Sequence, residues 1–135
     1  MGLVSSEAFN GSYIKNPFNF QHYDCNFAAF YVDGKSIPSK PFQPNFESGS
    51  YLDVYSAFVE GGSCLISRED FSKGNCIFTF KTKYESQGLQ PMSERGQLRL
   101  DLKFSSPLPK SVTVICYGKF SSVLTIDNTR NIQIL

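Results

Sequence analysis

A chain of 135 residues is long enough for one compact domain, spanning 1–135, and too short for two ordinary ones; folding at this size removes roughly two-thirds of the unfolded surface from water. Hydrophobic residues at 41% against charged residues at 19% exclude a disordered acidic or basic tail. Thirteen Lys and Arg against twelve Asp and Glu leave a net charge of +1, which gives no electrostatic reason to expect nucleic acid or an anionic membrane as a partner.

The first residues hold no apolar run of signal-peptide length, because Glu7, Asn10 and Ser12 interrupt it, so secretion by a signal peptide is not expected. No later stretch approaches the roughly twenty apolar residues of a spanning helix. Met1-Gly2-Leu3-Val4-Ser5-Ser6 fits the N-myristoylation pattern, which is short enough to arise by chance; an ordinary start is the expectation. Asn10-Gly11-Ser12 is a glycosylation sequon without a secretory route.

Residues 26–32 form an apolar run ending in Asp33-Gly34, with Lys35-Ser36-Ile37 beyond. Asp-Gly between two such runs predicts a hairpin with a type I′ turn, which requires positive φ at both central positions. Pro38, Pro41 and Pro44 then predict an extended loop over 38–46, pinned to the body by Phe42 and Phe46. A helix is expected from Tyr51, capped by Ser50 with Asp53 three residues on. Tyr51, Leu52, Tyr55, Phe58 and Val59 would share its buried face, and Gly61-Gly62 would close it. Ser67-Arg68-Glu69-Asp70 predicts a second short helical turn that stops at Gly74.

Strand signals dominate the remainder. In residues 76–82, Cys76, Phe78 and Phe80 alternate with polar positions. In 97–104, Leu98, Leu100, Leu102 and Phe104 alternate with Gln97, Arg99, Asp101 and Lys103. Residues 111–120 carry apolar groups on both faces, which predicts a central strand or one at an intersubunit surface. Residues 123–127 and 131–135 read as two short strands around Asn128-Thr129-Arg130. The fold class expected is all-β: an antiparallel β-sandwich with one inserted short helix. The chain has thirteen Phe, seven Tyr and no Trp, and most of the Phe residues at 18, 20, 42, 46, 78, 80 and 104 are expected as core and loop anchors, with Phe42 and Phe46 on the loop and Phe78, Phe80 and Phe104 on inward strand faces.

Cys25, Cys64, Cys76 and Cys116 show no zinc or redox spacing and are expected as reduced thiols, with Cys76 and Cys116 on inward strand faces. His22 is the single histidine; a nucleophile pair with Cys25 is disfavoured, because residues three apart on an extended stretch point to opposite faces. Without a phosphate loop, paired-His metal motif or nucleophile elbow, no catalytic, cofactor-binding or metal-binding residue is assigned, no cofactor is expected, and the chain reads as a non-enzyme. Lys81, Lys83, Arg95, Arg99 and Lys103 could line one sheet face, but Glu94 and Asp101 dilute that patch.

The run from Asn16 through Asp24 (NPFNFQHYD), the Tyr31-Val32-Asp33-Gly34 turn and the run from Ile37 through Phe46 (IPSKPFQPNF) form an ordered set. It continues through Ile66-Ser67-Arg68-Glu69-Asp70-Phe71, residues 96–104 and Ile126-Asp127-Asn128. Together these segments resemble the C-terminal jelly roll of the major capsid protein of Maverick/Polinton elements and their adintovirus relatives, a family also represented in animal genomes. The resemblance implies a jelly-roll sandwich and a virion structural role. It also implies self-association into trimeric capsomers beside other capsid proteins, and residence in the virion capsid or, before assembly, the host cell interior. Family members carry two jelly rolls, of which this chain would supply the second, and a strand before Ala8-Phe9-Asn10-Gly11, of which Leu3-Val4 would be the remnant. The expectation is therefore a fragment, a truncated copy or a host-retained module, with a lectin-like or protein-binding single jelly roll as the alternative function.

Overall fold

A computed structural model of the chain describes residues 1–62, 65–81, 96–119 and 124–134. In chain order its elements are β1 (Gly2–Ser5), α1 (Ser6–Phe9), β2 (Cys25–Val32), β3 (Lys35–Phe42), α2 (Leu52–Gly61), α3 (Arg68–Gly74), β4 (Leu98–Phe104), β5 (Val112–Ile115), β6 (Leu124–Ile126) and β7 (Ile132–Ile134). Strands predominate, their ladders are all antiparallel, and the helices are short. The β3-β2-β4 and β1-β5 sheets share one apolar core with α2 and α3, while β6 and β7 form a separate ribbon.

Asp33 and Gly34 adopt φ values of 49° and 79°, as the predicted two-residue hairpin turn requires, and so join β2 to β3. The same aspartate anchors β4: its backbone N–H donates to Gln97 O at 3.0 Å, and its carboxylate accepts from Gln97 N–H at 2.8 Å. Registry then sets Leu100 opposite Phe30 and Leu102 opposite Ala28; of the expected apolar face of β4, Leu102 and Phe104 pack against the core, whereas Leu98 is exposed.

The proline-rich stretch departs from expectation. Strand β3 continues to Phe42 instead of dissolving into a loop at Pro38. Pairing jumps from Phe30–Ile37 to Ala28–Phe42, so residues 38–41 bulge away while the two ends stay in register. Since β3 is an edge strand, the missing proline N–H groups deprive no neighbour of a donor. Phe42 is buried beyond the bulge, as predicted.

All four residues of β1 are buried. It pairs with β5 on one side, while on the other Leu3 O accepts from Gln21 N–H at 3.0 Å and Gly2 bridges to Ile77. A Cβ at Gly2 would sit 2.6 Å from the Phe20 ring, so this close crossing needs glycine. Leu3-Val4 is thus a fully paired strand, and a lipid on Gly2 would have to leave a buried position. Residues 76–81 keep the predicted alternation, with Cys76 and Phe78 fully buried, but form only the isolated Ile77 bridge and no ladder strand. Thr82 lies outside the described residues.

Two further expectations are corrected. Of the two placements expected for β5, the central one is not found: among the described residues β5 pairs only with β1 and stops at Ile115, and Val114 is 42% exposed. In α2 the proposed Ser50 cap is absent: Tyr51 takes the N-cap position without a side-chain cap, and Ser50, one residue outside, exchanges two 2.8 Å backbone hydrogen bonds with Asn45. The buried face is Tyr51, Val54 and Phe58, whereas Leu52 is exposed, being roughly 100° around the helix from Tyr51. Helix α3 forms as expected: Ser67 Oγ accepts from Asp70 N–H at 3.1 Å and donates to the Asp70 carboxylate at 2.7 Å. Phe18 is 73% exposed and is no core anchor.

Phe71 is fully buried where α3 meets α2. Phe71→Ala should therefore cost about 3–5 kcal/mol, whereas Phe18→Ala should change stability by less than about 0.5 kcal/mol; urea unfolding of the two variants checks the contrast.

Candidate functional site

Among the described residues, exposed apolar side chains gather in several places, three of which hold more than one close together. The loop after α1 exposes Tyr13, Ile14 and Phe18; the end of β5 exposes Val114 and Tyr117; and the β6–β7 ribbon exposes Leu124, Ile126 and Ile132. The ribbon is the most ordered of these. Cross-strand registry puts Ile126 opposite Ile132, so the period of two gathers Leu124, Ile126 and Ile132 on one face and leaves Thr125 and Gln133 on the other. Its turn is held by Asp127, whose carboxylate accepts from Thr129 N–H at 2.8 Å, the Thr129 hydroxyl at 2.7 Å and Asn131 N–H at 2.9 Å. Those bonds, the Thr129 hydroxyl first, hold the Asp127 carboxyl below its ordinary pKa.

The expected basic line on the sheet is drawn into contacts of its own. Arg99 lies over the Tyr31 ring at 4.5 Å and bonds Asp101 at 3.1 Å, Lys103 sits 4.9 Å over Phe27, and Lys81 pairs with Glu60 at 3.9 Å. Lys83 and Arg95 fall outside the described residues.

His22 and Cys25 have separate partners. The imidazole stacks flat on Phe46 at 4.1 Å, and Nδ1 accepts from Asp24 N–H at 2.9 Å. The Cys25 thiol donates to Phe27 O at 3.3 Å, and burial pushes its pKa up to about 11. Cys76 is pushed up to about 12 by the same cause. Cys116, expected on an inward face, is instead exposed beyond the end of β5, and Cys64 is outside the described residues. Among the described residues no cluster of three His, Cys, Asp or Glu side chains is placed to hold a metal.

A cleft of about 380 Å³ opens where the 14–23 loop crosses the end of β1, with Ser5, Lys15, Asn19 and Lys110 among its walls. Nothing in the sequence pattern pointed to it, because its walls, residues between 4 and 23 together with Lys110, carry no motif spacing.

Alkylation should modify Cys116 in the native protein and reach Cys25 and Cys76 only on unfolding, as read by peptide mass spectrometry. His22 makes a second prediction. Burial, outweighing the opposing pull of Asp24, holds its pKa below the ordinary 6.5. The unfolded chain therefore takes up this proton first, so stability falls as pH drops below about 6.5 and levels off beneath the folded-state pKa. His22→Gln should flatten the urea midpoint between about pH 7 and pH 5.

No family model matches the chain, and no solved structure matches it. It is similar to "Uncharacterized protein F54H12.2" of Caenorhabditis elegans, at 29% identity over 153 residues that cover 97% of this chain and 34% of the relative. The chain thus spans about a third of the length of the curated relative it matches.

Proposed function

We propose that the chain is a virion structural protein of the major-capsid type, or a truncated or host-retained copy of one: a jelly-roll module that builds capsomers by packing against further copies and other capsid proteins. The virion capsid is the location this reading gives it. The observation that carries it is the β6–β7 ribbon, a preformed sheet with one apolar face turned outward. The open β5 edge and the exposed Tyr13, Ile14 and Phe18 add surface of the same character. The segments behind the resemblance also meet in space, since His22 from the first stacks on Phe46 from the second, and Gln21 pairs with β1. Antiparallel sheets around a shared core suit the jelly-roll assignment. A single-module binding protein is the second reading, favoured by the cleft beside β1.

Assembly of this kind buries complementary surface, so it is concentration-dependent. Sedimentation velocity over a concentration series should show trimers or larger species. Ile126→Lys with Ile132→Lys, both at exposed positions, should weaken association at least about tenfold without unfolding the chain. A monomer at every concentration would count against the proposal.

A further inference from the structure

We propose that the turn at residues 22–24 is a proton-operated latch: with the His22 imidazole neutral it clips the chain entering β2 to the end of β4, and with the imidazole protonated the clip opens locally while the ring stays on Phe46. The latch operates within a single chain, whether or not copies assemble.

Its closed form rests on a hydrogen bond that one protonation state alone can make. His22 Nδ1 accepts from Asp24 N–H at 2.9 Å. A backbone N–H only donates, so Nδ1 is the bare nitrogen of a neutral ring whose proton sits on Nε2. An incoming proton therefore lands on the atom that holds the turn, and the two N–H groups would point at each other. A second acceptor stands beside it, since Asp24 Oδ1 lies 3.3 Å from Nδ1. Protonation thus exchanges the backbone bond for a charge-assisted one to the carboxylate, and Asp24 N–H loses its partner.

The ring is held in both states. It lies flat on Phe46, with centroids 4.1 Å apart and planes within 4°. Phe46 stacks in turn on Tyr51, and Tyr51 on the buried Phe71, so the support reaches the core. A cation is attracted to an aromatic face, so charging the ring does not dislodge it.

The backbone is the part that moves. Tyr23 and Asp24 have φ values of 48° and 54°, two successive left-handed residues without a glycine, a conformation that persists only while it is tied. The other ties are few. Cys25 N–H donates to His22 O at 2.9 Å, and Asp24 O accepts from Ser105 N–H at 2.9 Å and from the Ser105 hydroxyl at 3.1 Å. Those Ser105 bonds close the β2–β4 ladder just beyond its last pair, Cys25 with Phe104. Without the Nδ1 bond the turn relaxes toward negative φ, which draws Asp24 O away from Ser105 and loosens the half-buried Tyr23. Gln21 keeps its own bond to Leu3 O, so the opening stops there.

The surrounding charges leave the decision to Asp24. Glu47 follows Phe46 in the chain, Arg68 is engaged over the Tyr51 ring at 4.8 Å, and Lys103 over Phe27 at 4.9 Å. Tyr23 and Cys25 stay neutral, because burial raises both. Burial of the imidazole resists the proton and outweighs the Asp24 carboxylate, which draws it in. The latch is therefore closed at neutral pH and opens on acidification.

The test is NMR of the 15N-labelled chain from about pH 7.5 to about pH 5. The imidazole should be the Nε2–H tautomer at neutral pH. Once it is protonated, the amides of Asp24 and Ser105 should exchange with water about tenfold faster or more, after correction for the intrinsic rate, with the midpoint of the imidazole itself. Amides inside the β2–β4 ladder should keep their protection. His22→Phe, which keeps a flat ring for Phe46 and removes the acceptor, should leave Asp24 fast at every pH. Asp24→Asn, which suits a left-handed turn and removes the carboxylate charge, should move the midpoint to lower pH. An Nδ1–H tautomer at neutral pH, unchanged Asp24 protection through the titration, equal loss throughout the ladder, or an unmoved midpoint in Asp24→Asn would each overturn the proposal.

Discussion

Everything else in this fold depends on covering Phe71. Its ring is fully buried, with Phe58 at 5.2 Å, Tyr55 at 5.6 Å and Tyr51 at 6.2 Å, all contributed by α2 or its N-cap. The sheets alone could not enclose it: one has two strands, the other three, and β1 is four residues long. The short helices therefore form a wall of the core and are not decoration on a sandwich. The tyrosines do this without stranding their hydroxyls, since Tyr51 donates to Arg68 O at 3.1 Å and Tyr55 to Ile66 O at 2.8 Å. Each bond also ties the segment leading into α3 back onto α2, so aromatic packing and polar satisfaction enforce the same geometry.

That wall determines where β1 must run. Leu3 packs into the same cluster as Phe71 and Phe78, which draws a four-residue strand under cover from both sides. With β5 along one flank and residues 21 and 77 along the other, the backbone groups of β1 are bonded far from their sequence neighbours. The crossing of Phe20 over Gly2 leads the 14–23 loop across the sheet, and its passage leaves the cleft beside Ser5. The cleft is thus a by-product of enclosing the core.

What was legible in the sequence was local. Asp33-Gly34 needs only its own φ angles, Ser67 caps a helix three residues away, and Asp127 closes a turn within four. The failures all involve a distant partner or an angular detail. Leu3-Val4 is too short to carry a period, and its pairing with residues 113 and 114 cannot be read from either end alone. Ser50 has the composition of a cap but lies one residue outside it, and Val54 displaces Leu52 because the helix faces the core at a slightly different angle. Prolines signalled a loop where an edge strand could bulge around them. Cys116 followed the alternation of its neighbours past the point where the ladder ends.

The two surfaces with functional character obey opposite chemistries. On the ribbon, Leu124, Ile126 and Ile132 share a face with no charged group between them, and only a dry, shape-matched partner gains from covering it. The cleft is walled in part by amides and lysines, which gain nothing from apolar cover. The first belongs to β6 and β7, the second to β1, the loop after it and Lys110 ahead of β5. Because different elements supply them, occupying one does not consume the residues of the other.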